Sequence, residues 1–331
     1  MKKIFIILTI ILAFVLGLKV NAYDIKKDDT IYVSGESIGI KLNSGVEIVG
    51  TFGVSSSNNI IKPWDESGLK EGDKIIYYGN DEIESINDLI NSLKKTNGCE
   101  SELRYLRNNI EYNTKIKPAK TLDGYSLGLY IKDSTLGVGT LTYYLKEANI
   151  FGSLGHQMSN DKTSSGEIYE ATVNSIVLPQ RNKAGEKKAT ISTSKIGSIA
   201  KNSITGVHGF ASKISTNRMK ELHFKTRDEI RLGDAEIWTC INGNKVDKFD
   251  IKITDLKHQD KKDIKGISFE VVDNDLIKAS GGIVQGMSGS PIVQDDMLIG
   301  AVTHVAVKDA KIAYGIYLEW MFEDMGIYVV D

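Results

Sequence analysis

Gly281-Gly282-Ile283-Val284-Gln285-Gly286-Met287-Ser288-Gly289-Ser290-Pro291-Ile292 is the stretch whose reading decides the fold. Ser288 stands directly before a glycine and two residues after another, ahead of a short apolar run. Glycine lets the backbone turn sharply without a side-chain clash, and it leaves N–H groups free to face an oxyanion. A plain turn whose serine bonds its own backbone has the same composition. The two are separated by a base, because a serine hydroxyl is a weak nucleophile until a neighbour takes its proton. The Gly-x-Ser-x-Gly elbow of the α/β-hydrolases is not met. Ser290 stands where its last glycine belongs, a strand rather than a helix follows, and the only later histidine is His304.

Five histidines are available as base: His156, His208, His223, His258 and His304. His258 sits in the charged run 257–265, read as a solvated loop. His223 falls in an alternating segment, 220–225, without a functional mark, and His208 lies in a glycine-flanked, flexible stretch. His156 ends the apolar segment Ile150-Phe151-Gly152-Ser153-Leu154-Gly155, where a strand meets a loop, and is the candidate base.

Around the serine stretch the unit 119–331 is dense in short alternating segments: 136–144, 167–173, 188–193, 229–239, 249–253, 266–272, 297–305 and 311–317. Strands at this density predict a barrel or sandwich, closed by a short helix over 318–325. The unit 30–118 reads differently. Ile38-Gly39-Ile40 looks like a loop entering a strand, with glycine letting successive N–H groups converge on one spot, as a carboxylate requires. After a turn-rich connector, 63–73, comes a strand at 74–78. Ser85 with Asp88 three residues on is an N-cap signal. Ile86, Leu89, Ile90 and Leu93 follow at helical spacing. Strands over 102–107 and 111–116 are joined at Asn108-Asn109, a favourable hairpin turn.

Met1-Lys2-Lys3, the apolar run 4–18 and the Asn21-Ala22 ending make 1–22 an export signal peptide or an N-terminal membrane anchor. Either places the rest of the chain outside the cytoplasm. With 41 Lys plus Arg against 43 Asp plus Glu among 331 residues, no field of one sign exists for nucleic acid. Cys99 and Cys240 are too few for a disulfide framework and read as buried thiols, one bridge between them being the alternative. No metal or cofactor motif is present.

The string Ser67-Gly68-Leu69-Lys70-Glu71-Gly72-Asp73 is similar to the small-Gly-Leu-x-x-Gly-Asp signature of PDZ domains. That resemblance implies an α+β peptide-binding module over 30–118, with Ile38, Gly39 and Ile40 as its ligand loop. Residues 281–292, with Ile299-Gly300-Ala301-Val302-Thr303-His304-Val305 and Gly139-Thr140-Leu141-Thr142 leading to His156, resemble the SpoIVB sporulation peptidases. The resemblance implies a mostly β protein, the PDZ domain being followed by a chymotrypsin-like β-barrel serine peptidase domain over 119–331. It implies Ser288 as nucleophile, His156 as general base and Asp273 as third member, with Asp275 as the rival. Gly286 and Ser288 would supply the oxyanion N–H groups, and Val302-Thr303-His304 the strand beside the substrate. The function implied is exported self-processing and cleavage of a membrane regulatory protein that triggers sigma-K maturation. It implies protein substrates, a PDZ peptide ligand and a place in the space between forespore and mother cell. A catalytically silent PDZ adaptor and an HtrA-like quality-control protease are the competing readings.

Overall fold

Two strand ladders close on themselves. In the computed structural model, which describes residues 23–56, 59–108, 110–158, 165–180, 183–306 and 309–330, Ser37–Thr51 pairs with Leu129–Leu145. The ladder continues through Ile150–Ser153, Gly206–Ala211, Glu186–Ser203 and Gly166–Val177, and returns to Ser37–Thr51. A second circuit runs through Gly233–Thr239, Asp247–Leu256, Ile267–Val271, Asp309–Tyr317, Met297–Ala306 and Pro291–Gln294, back to Gly233–Thr239. Every pairing in both circuits is antiparallel, so each is a closed barrel without free edges. The period-two alternation of the sequence supplies the filling. Phe249, Ile251 and Ile253 point inward from one strand. Ile38, Ile40, Phe151, Ile168 and Val207 fill the first barrel, and Ile237, Phe269, Ile292, Val302 and Ile316 the second.

The chain closes with helix Leu318–Asp324, whose Leu318, Met321 and Phe322 are buried with the second barrel's core. Tyr23–Lys26 pairs in parallel with Ile327–Val330. The leader expected over 1–22 lies outside the described residues, as does Asn109 of the expected Asn108-Asn109 turn. Among the described residues no helix is long and apolar enough to cross a membrane.

Between the barrel portions of Ser37–Thr51 and Leu129–Leu145 the chain builds a separate unit around Val46, Ile75, Tyr78, Leu89, Leu93 and Leu103. Its helix α1, Ile86–Lys95, begins where the Ser85/Asp88 spacing predicts, with Ser85 Oγ accepting from the Asp88 N–H. Strands Ser101–Arg107 and Ile110–Ile116 form the expected hairpin ladder. The Gly68 to Asp73 string makes a tight turn. Gly68 and Gly72 both have positive φ, buried Asp73 accepts from the Lys70 N–H, and Arg107 clamps its carboxylate in two bonds of 2.7 Å.

Three sequence expectations are corrected here. Ile38-Gly39-Ile40 is no ligand loop: it lies mid-strand, paired with Gly137 to Gly139 on one side and Ile168 to Glu170 on the other. Both isoleucines are buried in the first barrel, so the N–H groups of this stretch serve ladders rather than a ligand. The division into 30–118 and 119–331 is likewise crossed by two strands that run through both the barrel and the insert. Cys99 is exposed and Cys240 buried, both free.

Candidate active site

His156 and Ser288 come from different barrels. His156 follows the first-barrel strand Ile150–Ser153 through Leu154 and Gly155, both at positive φ (65° and 67°). At 155 glycine is required twice over, since a Cβ there would approach Thr303 Cγ2 to 2.9 Å as well as demand that φ. This tight reversal turns the imidazole toward the second barrel. Ser288 lies in the turn before Pro291–Gln294, flanked by Gly286 (φ 92°) and Gly289 (φ 89°). Strand Leu129–Leu145 of the first barrel pins that turn. Thr140 N donates to Ser288 O at 3.0 Å, Thr140 Oγ1 to Gly286 O at 2.9 Å, and Thr142 Oγ1 to Gly289 O at 2.7 Å. The fit is close: a Cβ on Gly289 would fall 2.2 Å from Thr140 O.

His156 Nε2 and Ser288 Oγ are 2.9 Å apart. His156 Nδ1 lies 2.8 Å from the carbonyl oxygen of Gln157. A carbonyl only accepts, so Nδ1 carries the proton, and Nε2 presents its lone pair to the serine hydroxyl. Burial is the main influence on the imidazole and lowers its pKa, with the Gln157 carbonyl acting weakly in the opposite sense. A neutral base within hydrogen-bond reach of the nucleophile is what acyl transfer needs. Ser288 Oγ also lies 3.0 Å from Thr303 O, an acceptor that competes with His156 Nε2 for the single hydroxyl proton.

The peptide planes of the turn set the donors. The Gln285 carbonyl accepts from Lys187 N at 2.8 Å, and the Met287 carbonyl from Ser290 N at 2.9 Å. In a trans peptide the N–H points opposite to the C=O. The N–H groups of Gly286 and Ser288 are therefore turned away from those contacts, and neither has a partner among the described residues. Two unpartnered donors beside a nucleophile can bind a developing oxyanion.

Asp273 is placed elsewhere. The strand expected over 266–272 is formed by Ile267–Val271, and helix α2, Asn274–Ser280, follows it at once. Asp273 is its N-cap, accepting from the N–H groups of Asp275 and Leu276 at 2.9 Å each and from Asp250 N at 3.3 Å. A carboxylate spent on a helix N-terminus in this way does not orient an imidazole, and His156 Nδ1 is bonded to Gln157 O instead. Asp275 is exposed on the first turn of the same helix. The capping signal was present in the sequence, since aspartate is among the preferred N-cap residues.

His304 faces the site. Its ring centroid is 4.8 Å from that of His156. Burial and the neighbouring His156 and Lys265 lower its pKa to about 4, so it is neutral near pH 7. Val302 is buried and bonds the serine turn through its backbone, accepting from Gly289 N and donating to Ser290 O. Thr303 offers its carbonyl to Ser288. His208, expected in a flexible stretch, is wholly buried in Gly206–Ala211 with Nε2 3.2 Å from Thr205 Oγ1, while His223 and His258 are exposed. A cleft of about 340 Å³ borders the pair, its lining including Ile283, Val284, Val138 and Val305. No cluster of three or more His, Cys, Asp or Glu able to hold a metal occurs among the described residues.

The SpoIVB peptidase S55 family matches residues 123–322. The chain is also similar to the active form of the Rv3671c protease from M. tuberculosis. That likeness has 14% identity, covers 56% of this chain and 70% of that one, and gives a TM-score of 0.33. No curated protein matches.

Proposed function

Since the chain belongs to the SpoIVB peptidase S55 family and is a serine endopeptidase, we propose that it works after export, processes itself and cleaves a membrane regulatory protein whose loss triggers sigma-K maturation during sporulation. The observation that carries the chemistry is the 2.9 Å approach of His156 Nε2 to Ser288 Oγ across the two barrels. Ser288 Oγ adds to the scissile carbonyl as its proton passes to His156 Nε2. The oxyanion is held by the N–H groups of Gly286 and Ser288. Collapse of the adduct breaks the C–N bond as His156 returns the proton to the leaving amine, and water repeats the sequence to free the acyl-enzyme. The Gln157 carbonyl keeps the imidazole in the required tautomer, the orienting role that a carboxylate fills in a triad.

The biological assignment is supported by the basic and apolar leader over 1–22, which directs a chain across a membrane, and by the family. We also assign the insert around α1 as a peptide-docking module of the PDZ type. Its Gly68-Leu69-Lys70-Glu71-Gly72-Asp73 turn, its single helix and its sheet support that reading.

A serine-directed fluorophosphonate tests the chemistry. It is expected to label wild-type protein once, at Ser288, and to leave Ser288→Ala unlabelled. Full-length Ser288→Ala is expected to accumulate unprocessed, with turnover lowered by about 10⁶ as in other serine peptidases stripped of the nucleophile. Labelling at another residue, or normal self-processing by Ser288→Ala, overturns it.

A further inference from the structure

Lys187 is buried to 2% exposure beneath the serine turn and has no carboxylate partner among the described residues. Its ammonium is caged by hydroxyls from three strands: Thr239 Oγ1 at 2.8 Å, Ser37 Oγ at 3.3 Å and Thr140 Oγ1 at 3.5 Å. An unpaired cation in a protein interior is expensive, and lysines held this way are rare. Replacing such a group with an apolar residue of like volume is often neutral or stabilising. Its presence therefore calls for a reason other than stability.

The reason lies in what the lysine touches. Its N–H fixes the Gln285 carbonyl at 2.8 Å, which turns the Gly286 N–H outward. Its stem packs on Gly286, where a Cβ would come within 3.0 to 3.3 Å of Lys187 Cβ, Cδ and Cγ. Its ammonium holds Thr140 Oγ1, and that hydroxyl donates to Gly286 O. Both peptide planes flanking Gly286 are thus tied to one residue. Rotation of the Gln285–Gly286 plane would swing the Gln285 carbonyl into the place where the oxyanion forms. The Gly286–Met287 plane, held through Met287 N to Val284 O at 3.1 Å and through Gly286 O to Thr140, is the support on which it turns. We propose that Lys187 is a positioning residue of the endopeptidase, which locks the Gln285–Gly286–Met287 peptides so that the Gly286 N–H stays aimed at the oxyanion. Its own backbone N–H sets one plane and the ammonium–Thr140 relay sets the other.

The relay depends on the proton. Burial lowers the Lys187 pKa to about 8, and Cys240, the one titratable group acting on it among the described residues, opposes this. The Cys240 thiol is itself pushed up by burial and stays protonated. Above about pH 8 the amine therefore loses a donor that the hydroxyl cage uses.

The inference rests on the Ser288–His156 chemistry, and its test separates the two. Wild type, Lys187→Met, Thr140→Val and the double variant are compared for peptide kcat and KM, rate of fluorophosphonate labelling, pH profile and Tm. Expected for Lys187→Met are a kcat at least tenfold lower, toward the 10²-fold typical of a lost oxyanion donor, a KM within about threefold, and a Tm equal to or above wild type. Thr140→Val, which keeps the lysine, reproduces the loss even if Lys187→Met folds poorly. The double variant is no slower than the worse single one, because the two act as one relay. Wild-type kcat falls above about pH 8, and that limb is absent in Lys187→Met. Failure of wild-type labelling would sink the catalytic reading itself. Normal labelling with Lys187→Met at wild-type kcat, or single-variant losses that multiply, overturns the lysine's role alone.

Discussion

His156 Nδ1 is hydrogen-bonded to the carbonyl of Gln157, its neighbour in the chain, and among the described residues to no side chain. The imidazole beside Ser288 is therefore oriented by a dipole from its own turn. Tautomer control survives this arrangement because a carbonyl, like a carboxylate, accepts only.

Asp273 distinguishes a capping role from a triad role. An N-cap tolerates Asn as well as Asp and loses about 1 kcal/mol on truncation to Ala. Asp273→Asn should keep kcat within a few-fold and leave Tm unchanged, while Asp273→Ala should lower Tm by a few degrees. In a triad the Asn variant costs about 10⁴ in kcat by imposing the wrong tautomer. A loss of that size in Asp273→Asn would return the carboxylate to the catalytic centre.

The acid limb of the rate profile follows from burial of His156. Catalysis needs the neutral imidazole, and burial favours that form. The kcat/KM profile should therefore rise with pH through a midpoint below the ordinary histidine value of about 6.5. A midpoint above 6.5 would indicate a carboxylate stabilising the imidazolium.

His208 ties stability to pH. It is fully buried, and burial depresses its pKa to about 4. Its depressed pKa means that between about 4 and 6.5 the unfolded chain binds a proton that the folded chain does not. Stability from this site is complete above 6.5 and declines as pH falls through that window. Thermal unfolding should show Tm dropping from pH 6.5 to 4.5, with a shallower drop in His208→Gln. Equal slopes for both proteins would discount the site.

The cleft beside Ser288 presents Ile283, Val284, Val138 and Val305 and no ionised side chain among its described lining residues. A charged side chain seated there would lose water without gaining a partner. Cleavage of a peptide library should favour Leu, Met or Phe over Arg or Asp in the seated position by about tenfold or more, as read from product sequences. Preference for a basic residue would mean that the substrate lies elsewhere.

Much of this was legible in the sequence. Alternation marked the barrel strands, and Ser85 and Asp88 marked α1. The glycines around Ser288 and the Leu154-Gly155-His156 ending of an apolar strand marked the two side chains that the fold brings to 2.9 Å. What stayed hidden depends on pairing across long separations. Ile38-Gly39-Ile40 has the local look of a binding loop, and only its partners 100 and 130 residues away make it barrel wall. Asp273 was named through the resemblance alone, and the helix that it caps stayed hidden because it abuts a strand without a glycine or proline between them. Lys187 gave no signal at all, since a lysine in an alternating segment ordinarily faces water.

Two staves of the first barrel run on without a break into the insert. The peptidase therefore cannot be trimmed to a minimal fragment beginning after the insert, because such a cut removes one sixth of a closed wall and opens the barrel from which His156 projects, between Leu129–Leu145 and Gly166–Val177. Any graft, truncation or domain exchange must instead splice within the paired stalk, joining residue 42 to residue 136 so that both halves keep their register.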